Sequence, residues 1–390
     1  MININDNKIR KLSLGGGQVK RAYLGDNLVY KSSTQVLLSG IKANYFLFSK
    51  DGLNYEYKKN ITPSSTTVFT SFGTINGKIW AANTNGIYIT EDLVNYTLLI
   101  AKPSSTMVLT YKNNIANIGS QFVGIFESSS NGRVYFNYTN EQGTSWTSNT
   151  KLDDKSSFQV FKLITFNNKF LALARTGIIH LDVNATSNKI KKCNFTLLDG
   201  STFTTLDSVT TDLDYFVYDG TIYNNKLYVF MHEEGRLVSD YRDSIFESTD
   251  GTNYTEICTI PTSSSGELDD GIVGLTIENN TITFLGYLGA GYYGPYLYKS
   301  LDFGNTWNKL EFPILSSNGY WDNTNLLKFK DFFIYNGTAT GSSASSGGVS
   351  VADQNIIISA DGGTTWSKVL SGGAYGTPSS FVCLETELDI

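Results

Sequence analysis

Proline, cysteine, histidine and charge are all scarce in this chain of 390 residues: six prolines, three cysteines, two histidines, and 17 % charged residues. A charged fraction below the usual ~25 % leaves polarity to Ser, Thr, Asn and Gly, the residues of turns and sheet surfaces. Cys193, Cys258 and Cys383 are too widely spaced for a disulfide framework or a CxxC metal site. His180 and His232 have no companion histidines, so no metal centre is expected, and no serine or cysteine nucleophile motif accompanies them. Gly15-Gly16-Gly17 opens no helix, which excludes a phosphate-binding glycine loop, and no cofactor is expected. No apolar run approaches the ~20 residues of a membrane span, and the opening MININDNKIRKL lacks the apolar core of a secretory signal. A formal charge of −6 supplies no basic field for nucleic acid. What the chain does have is 5 Trp, 24 Tyr and 23 Phe within 41 % hydrophobic residues, enough to bury a large core.

Residues 1–32 differ from the rest. Six basic residues (Lys8, Arg10, Lys11, Lys20, Arg21, Lys31) and two acidic ones (Asp6, Asp26) give them +4, so residues 33–390 carry −10. Alternation from Lys8 to Leu14, a glycine turn at 15–17, Val19 to Leu24, a second turn Gly25-Asp26-Asn27 and Leu28-Val29-Tyr30 predict a small β-meander, too short to fold alone. This segment resembles the short leader of many tail and virion-surface proteins of bacteriophages infecting low-GC bacteria. The resemblance implies docking to other virion proteins. A solvated arm capping the next domain is the plain alternative.

Residues 33–390 read as a repeat array with two landmarks. The first is a box, Ser/Thr-x-Asp-x-Gly-x-x-Trp/Tyr, cleanest at Ser300-x-Asp302-x-Gly304-x-x-Trp307 and Ser359-x-Asp361-x-Gly363-x-x-Trp366. Weaker copies run from Ser49 through Asp51 to Tyr55, Thr90 through Asp92 to Tyr96, and Ser248 through Asp250 to Tyr254. In Thr139–Trp146 the Asp is replaced by Glu141, and a remnant surrounds Asp182. The second landmark is a hairpin signal upstream of each box but the first: Asn76-Gly77, Asn113-Asn114, Asn167-Asn168, Asn224-Asn225, Asn279-Asn280 and Lys330-Asp331. Asn-Gly and Asn-Asn pairs tolerate the positive φ of two-residue hairpins. Each unit therefore reads strand A, Asn turn, strand B, loop, strand C, box turn, strand D, which is the arithmetic of a propeller blade. The box Asp can accept N–H bonds inside the C–D turn, while the ring packs beside the hydroxyl-bearing strand.

These boxes resemble those of the sialidase-like Asp-box (BNR) propellers. The expected fold is all-β, a β-propeller of seven four-stranded blades preceded by the N-terminal meander, with six blades as the alternative. The first box lacks a strand A, and Ser379–Glu385 can supply it and close the ring. A–B and C–D turns share one face, so the variable connections, about 119–132, 232–244, 261–271, 286–295, 313–323 and 337–354, fall on the other; the last is low-complexity. Insertions concentrated on one face mark a binding face. Two of these loops are aromatic and carry the candidate ligand residues Tyr287, Tyr292, Tyr293, Tyr320, Trp321 and Asp322. Rings among Gly, Asn and Asp suit sugar stacking with hydroxyl hydrogen bonds, or a protein contact; they can also simply fold onto their own blade.

No catalytic residue is expected. The sialidase resemblance would require three clamping arginines and an Arg-Ile-Pro element. The chain has six arginines, two in the leader, no Arg-Ile-Pro, and no motif that groups Arg133, Arg175, Arg236 and Arg242. The loop acids Glu233, Glu234, Asp240, Asp243, Glu267, Asp269 and Asp270 could supply the two facing carboxyls of a glycosidase, but read as solvated charge. His180, within Gly177-Ile-Ile-His-Leu181, reads as a core histidine, and the three cysteines as small buried strand residues. Asn95-Tyr96-Thr97 and Asn253-Tyr254-Thr255 fall in box strands and are discounted as glycan acceptors. The expectation is a virion protein made without a signal peptide, docked through residues 1–32 and binding a host-surface glycan or protein. A purely structural virion protein and a propeller glycosidase are the rivals; an oligomer is compatible.

Overall fold

The computed structural model describes residues 13–14, 17–18, 21–24, 27–31, 34–41, 45–59, 68–109, 114–154, 160–174, 177–181, 183, 190–196, 200–205, 215–233, 242–261, 272–286, 296–311, 325–337, 355–370 and 381–386. Seven antiparallel sheets stand in a ring as a seven-bladed propeller. Blade 1 pairs Phe381–Thr386 with Thr34–Ile41, followed by Tyr45–Ser49 and Glu56–Lys59. The C-terminal strand is therefore the innermost strand of the first blade, in the ladder Phe381↔Ser39 to Thr386↔Thr34.

In blades 2 to 7 the A strands are Ser71–Ile75, Ile115–Ile118, Val160–Phe166, Tyr215–Tyr223, Ile272–Glu278 and Asn325–Phe329. The strands that follow them give the order A-B-C-D each time. Two blades depart from four strands. Met107–Val108 pairs with the far end of the B strand of blade 3, and Gly200–Thr205 adds a fifth, outer strand to blade 4.

The turn chemistry explains the hairpins. Asn76 and Gly77, Asn167 and Asn168, Asn224 and Asn225, and Asn279 and Asn280 all have positive φ, as two-residue hairpins require, and Lys330 does so in blade 7. Blade 3 corrects one expectation. Its A–B turn is Gly119-Ser120, with Ile118 paired to Gln121, and Asn114 is a fully buried residue just ahead of the A strand. An Asn-Asn pair marks a turn only where the apolar strands flank it on both sides. Here the pair precedes both strands. Most of the span 119–132, read from the sequence as a loop, is likewise the B strand Gln121–Ser128.

Seven hydrophobic clusters hold the ring, one between each pair of adjacent blades. Period-two alternation sends successive side chains of a strand to opposite neighbours. Leu171 and Leu173 face blade 5, whereas Phe170, Ala172 and Ala174 face blade 3. Both faces of most strands are therefore buried, and central strands such as Leu171–Ala174 read as unbroken apolar runs. Phe381 lies in the blade 7–blade 1 cluster with Phe329, Ile334 and Ile358, so the last strand closes the ring by packing as well as by pairing. Each large core side chain contributes about 1.5–3 kcal/mol on burial.

Among the described residues the N-terminal segment shows two hairpin pairings. Ser13–Leu14 pairs with Gly17–Gln18, and Arg21–Leu24 with Asn27–Lys31. These pairings flank the two turn sequences read from the chain, and residues 19–20 between Gly17–Gln18 and Arg21–Leu24 lie outside the described residues.

Candidate functional site

The two faces of the ring are built differently. On the A–B/C–D face the box turns have one wiring in two lengths. In the long form Ser300 Oγ receives the Gly304 N–H at 2.7 Å, Asp302 Oδ1 receives the Thr306 N–H at 2.8 Å, and the Thr306 hydroxyl donates to Oδ2 at 2.7 Å. Ser359, Asp361, Gly363 and Thr365 repeat this. In the short form Asn closes the carboxylate: Asn54, Asn95 and Asn253 donate both backbone N–H and Nδ2 to Asp51, Asp92 and Asp250. The copies that look degenerate in sequence are complete turns one residue shorter.

These donors shift the carboxyls. The backbone and side chain of Asn54 hold Asp51 well below the ordinary carboxylate range. At Asp92 and Asp250 partial burial pushes upward but is outweighed by hydrogen bonds, chiefly those of Asn95 and of Asn253 with Thr252, which leaves both at about 2. Blade 3 corrects the reading of its box. Asn140 Oδ1, not Glu141, accepts the Thr144 N–H at 2.8 Å, and Glu141 is exposed.

The box also reaches outside its own blade. A Cβ placed on Gly52 would meet Phe329 and Ile334 of blade 7, one on Gly251 Leu171 and Phe166 of blade 4, one on Gly304 Cys258 of blade 5, and one on Gly363 Leu297 of blade 6. The rings of Tyr55, Tyr96, Trp146, Tyr254, Trp307 and Trp366 likewise join the cluster shared with the preceding blade. Trp146 Nε1 donates to the Ala101 carbonyl of blade 2 at 2.7 Å. The box aromatic is thus an inter-blade wedge that also contacts its own blade, as Trp307 does through Phe284. Lysines complete the stitching: Lys169 Nζ donates to Asp250 O and Thr252 Oγ1 of blade 5, Lys299 to Gly362 O of blade 7, and Lys330 to Lys50 O of blade 1. This face is architecture.

The sequence reading assigns the candidate ligand residues to the opposite face. Tyr287, Tyr292, Tyr293, Tyr320, Trp321 and Asp322 all lie outside the described residues, as do Asp182, Arg175, Arg236, Glu234, Asp240, Glu267, Asp269 and Asp270. Glu233 ends the B strand of blade 5, with its side chain outside the description. Of the candidate acids Asp243 is placed. It starts the C strand of blade 5 beside Arg242 and is 2 % exposed, with Oδ1 2.8 Å from Nδ1 of His232. It is a buried partner of a histidine, not a solvated loop charge. His232 is itself 2 % exposed, whereas His180 is half-buried opposite Leu171 and Lys191; the core histidine is His232. Beside this pair Arg242 donates to both Glu256 oxygens at 2.6 and 2.8 Å, and Ser244 and Thr259 add hydroxyl donors. Glu256 is therefore spent within its own sheet.

A second constellation, missed in the sequence, lies on the inner strands. Asp219 of blade 5 receives Lys162 Nζ of blade 4 and its neighbour's Gly220 N–H on Oδ1, both at 2.7 Å, and the Leu275 N–H of blade 6 on Oδ2 at 2.9 Å. One carboxylate thus ties the A strands of three consecutive blades, and only the axis side of a ring is shared by three. Among the described A–B ladders, those of blades 4, 5 and 6 alone are bulged, between Val160 and Lys162, Val217 and Asp219, and Val273 and Thr276. The extra residues Phe161 and Tyr218 bring their rings to a 5.0 Å centroid separation, with Phe216 and His232 beside Tyr218.

The remaining candidates resolve simply. All three cysteines lie in strands, but Cys258 is half-buried and Cys383 exposed. Asn95 and Asn253 commit Nδ2 to a box carboxylate, so neither amide is available as a glycan acceptor without breaking its turn. No group of three or more metal-ligating side chains occurs among the described residues, and no helix there is long and apolar enough to cross a membrane.

No family model and no curated protein matches the sequence. Solved structures do resemble it. A protein from Lactobacillus plantarum is similar over 90 % of this chain and 100 % of its own, at 9 % identity and a TM-score of 0.51. A candidate 6-phosphogluconolactonase from Bacteroides fragilis NCTC 9343 is similar over 90 % and 97 %, at 10 % identity and a TM-score of 0.50. The endosialidase of phage phi92 is similar over 63 % and 53 %, at 14 % identity and a TM-score of 0.33. At such identities the likeness to the first two supports the propeller fold and nothing beyond it. Enzymes are among the neighbours, and the fold alone implies no catalysis.

Proposed function

We propose that this propeller is a binding module of the sialidase-like Asp-box class, carried on the host-facing surface or tail of a bacteriophage particle. Residues 1–32 dock it to other virion proteins, and the face opposite the boxes binds a glycan of the host envelope. The observation that carries the binding half is the division of labour between the faces. On the box face the A–B turns are of two residues, no C–D connection is longer than the span 182–189, and the described box turns are spent on inter-blade contacts. On the other face the connections run as long as 312–324 and 338–354, and those at 287–295 and 312–324 hold the aromatic candidates. The virion half is supported by the leader resemblance alone.

A binding rather than a hydrolytic role is favoured by the fate of the charged groups that are placed. Asp243 and Glu256 are occupied by His232 and Arg242, so neither is free to act as one of the two facing carboxyls that glycoside hydrolysis demands. The test is binding of the fluorescently labelled full chain to a panel of low-GC bacterial cells and their wall polysaccharides, beside a Tyr292→Ala/Tyr293→Ala/Trp321→Ala variant. Binding to some strains, lost in the variant, is expected. Absence of binding to every strain and polysaccharide would favour a purely structural virion role. Release of reducing sugar from the polysaccharide would favour the glycosidase.

A further inference from the structure

We propose that Phe161, Lys162, Tyr218 and Asp219 form a subsite for one neutral sugar ring at the inner rim of blades 4 and 5. This rests on the reading that the propeller binds a glycan, and assigns part of that recognition to the inner strands rather than to the long connections.

The hydrogen-bond inventory selects the ligand. The Lys162 ammonium has three N–H donors and uses two, on Asp219 Oδ1 at 2.7 Å and the Gly220 carbonyl at 2.8 Å. Its side chain is 36 % exposed and that of Asp219 9 %, so the pair meets solvent chiefly through the lysine. Asp219 Oδ1 already accepts two bonds, whereas Oδ2 accepts one, from Leu275. A carboxylate oxygen offers two lone pairs. What is left is one donor beside one acceptor, and a hydroxyl group satisfies both, accepting from Lys162 and donating to Asp219. An anionic ligand would accept from the lysine but face the Asp219 charge. A cationic one would face Lys162. The ion pair is neutral as a unit and calls for a neutral, hydroxyl-bearing partner.

The bulges supply the second half of the recognition. A bulge re-aims a side chain out of the regular alternation, and two adjacent inner strands carry one each, immediately before the paired charges. Phe161 and Tyr218 are both half-buried and in ring contact. Half-exposed rings beside a hydroxyl-binding pair are the elements of sugar recognition: the C–H face of a pyranose lies on an aromatic ring while its hydroxyls reach polar groups. Phe216 and His232, the latter paired with buried Asp243, adjoin Tyr218, and three strands converge on Asp219.

The test is saturation-transfer NMR and titration of the full chain with methyl glycosides of glucose, galactose, mannose and N-acetylglucosamine, with N-acetylneuraminic acid as the charged comparison. Phe161→Leu keeps apolar bulk but removes the flat ring, and Lys162→Met/Asp219→Asn removes both charges together so that neither is stranded. Expected is saturation of at least one neutral glycoside, weakened roughly tenfold in both variants, at unchanged Tm in Phe161→Leu, and retained in the Tyr292/Tyr293/Trp321 alanine variant. Equal binding by wild type and Phe161→Leu, stronger binding of the charged sugar, or no transfer to any neutral glycoside would each overturn the subsite. If the Phe161→Leu protein still binds cells as wild type does, the subsite fails and the loop-face reading stands. If wild type binds glycosides but no cell or polysaccharide, the reverse holds.

Discussion

Replacing Gly304 by alanine tests whether the box is an inter-blade joint. Gly304 has φ +95°, and a Cβ there would lie 2.4 Å from both Cβ and Sγ of Cys258 in the preceding blade. Two costs follow. Holding an alanine at positive φ costs about 1–2 kcal/mol. Overpacking against a strand whose Cβ cannot retreat without moving backbone costs about 1–3 kcal/mol, so the sum is roughly 2–5 kcal/mol. Gly119 supplies the internal control, because its φ is +56° and nothing lies within 4 Å of its would-be Cβ. Gly119→Ala should show the backbone cost alone, about 1–2 kcal/mol. Urea unfolding of both variants gives the difference. Introducing Gly304→Ala into a Cys258→Gly background, where the clashing atoms are gone, should recover about 1–3 kcal/mol of coupling. Equal losses for Gly304→Ala and Gly119→Ala, or no recovery with Cys258→Gly, would refute the joint and leave the box as a local turn.

Three further outcomes follow from the same geometry. Asp92 and Asp250 sit at about 2 when folded against 3.8 unperturbed, so the unfolded chain takes up protons first as pH falls. Their stabilisation is full above the unperturbed value and lost on acidification through about 2. The urea midpoint should fall over that window, and less steeply in Asp92→Asn/Asp250→Asn. In blade 3, Asn140→Ala should cost about 1 kcal/mol and Glu141→Ala under about 0.5 kcal/mol in thermal or urea unfolding; the reverse order would restore Glu141 as the box acid. Phe381→Ala opens the blade 7–blade 1 cluster and should cost about 3–5 kcal/mol, read as an early loss of cooperative unfolding. Unchanged stability would mean that ring closure does not depend on the last strand.

The blade count, the strand order and the closing role of the C-terminal strand were legible because each rests on local chemistry. Asn76-Gly77, Asn167-Asn168, Asn224-Asn225 and Asn279-Asn280 are turns for a reason confined to two residues. The strand missing before Tyr45–Ser49 had to come from somewhere, and 381–386 was unspent. Asn113-Asn114 failed because the same dipeptide can precede a strand, and Asn140 was passed over because an adjacent Glu better matched the expected charge. The inner-rim constellation was harder to see. Ser71, Asn114, Lys162 and Asp219 each stand five residues before the first residue of their A–B turn, a polar level within apolar strands that periodicity could have flagged. The bulges that bring Phe161 and Tyr218 together could not have been read, since they depend on which residues the B strand pairs with.

Where the ring tolerates change follows from what each turn touches. In the long box, Asp302 grips Thr306 while Gly304 is pressed onto Cys258, and the Trp307 ring joins the preceding blade's core. An insertion there displaces the closing donor, the close-packed glycine and the wedge at once, in two blades. The B–C turn of blade 3 at Ser130-Asn131 is exposed, and its contacts stay mainly within that blade, Ser128 to Ser130 and Ser128 to Gly132. A Gly-Ser-Gly insertion between Ser130 and Asn131 should therefore cost only about 1 kcal/mol, mostly the lost turn bonds, because lengthening a loop adds little closure entropy. The same insertion between Gly304 and Asn305 should cost several times that, on the order of 3–5 kcal/mol, from a cavity and stranded polar groups together. Thermal unfolding of the two variants decides it. Comparable losses would mean that the loop face is as constrained as the box face, and that its long connections owe their length to something other than architectural freedom.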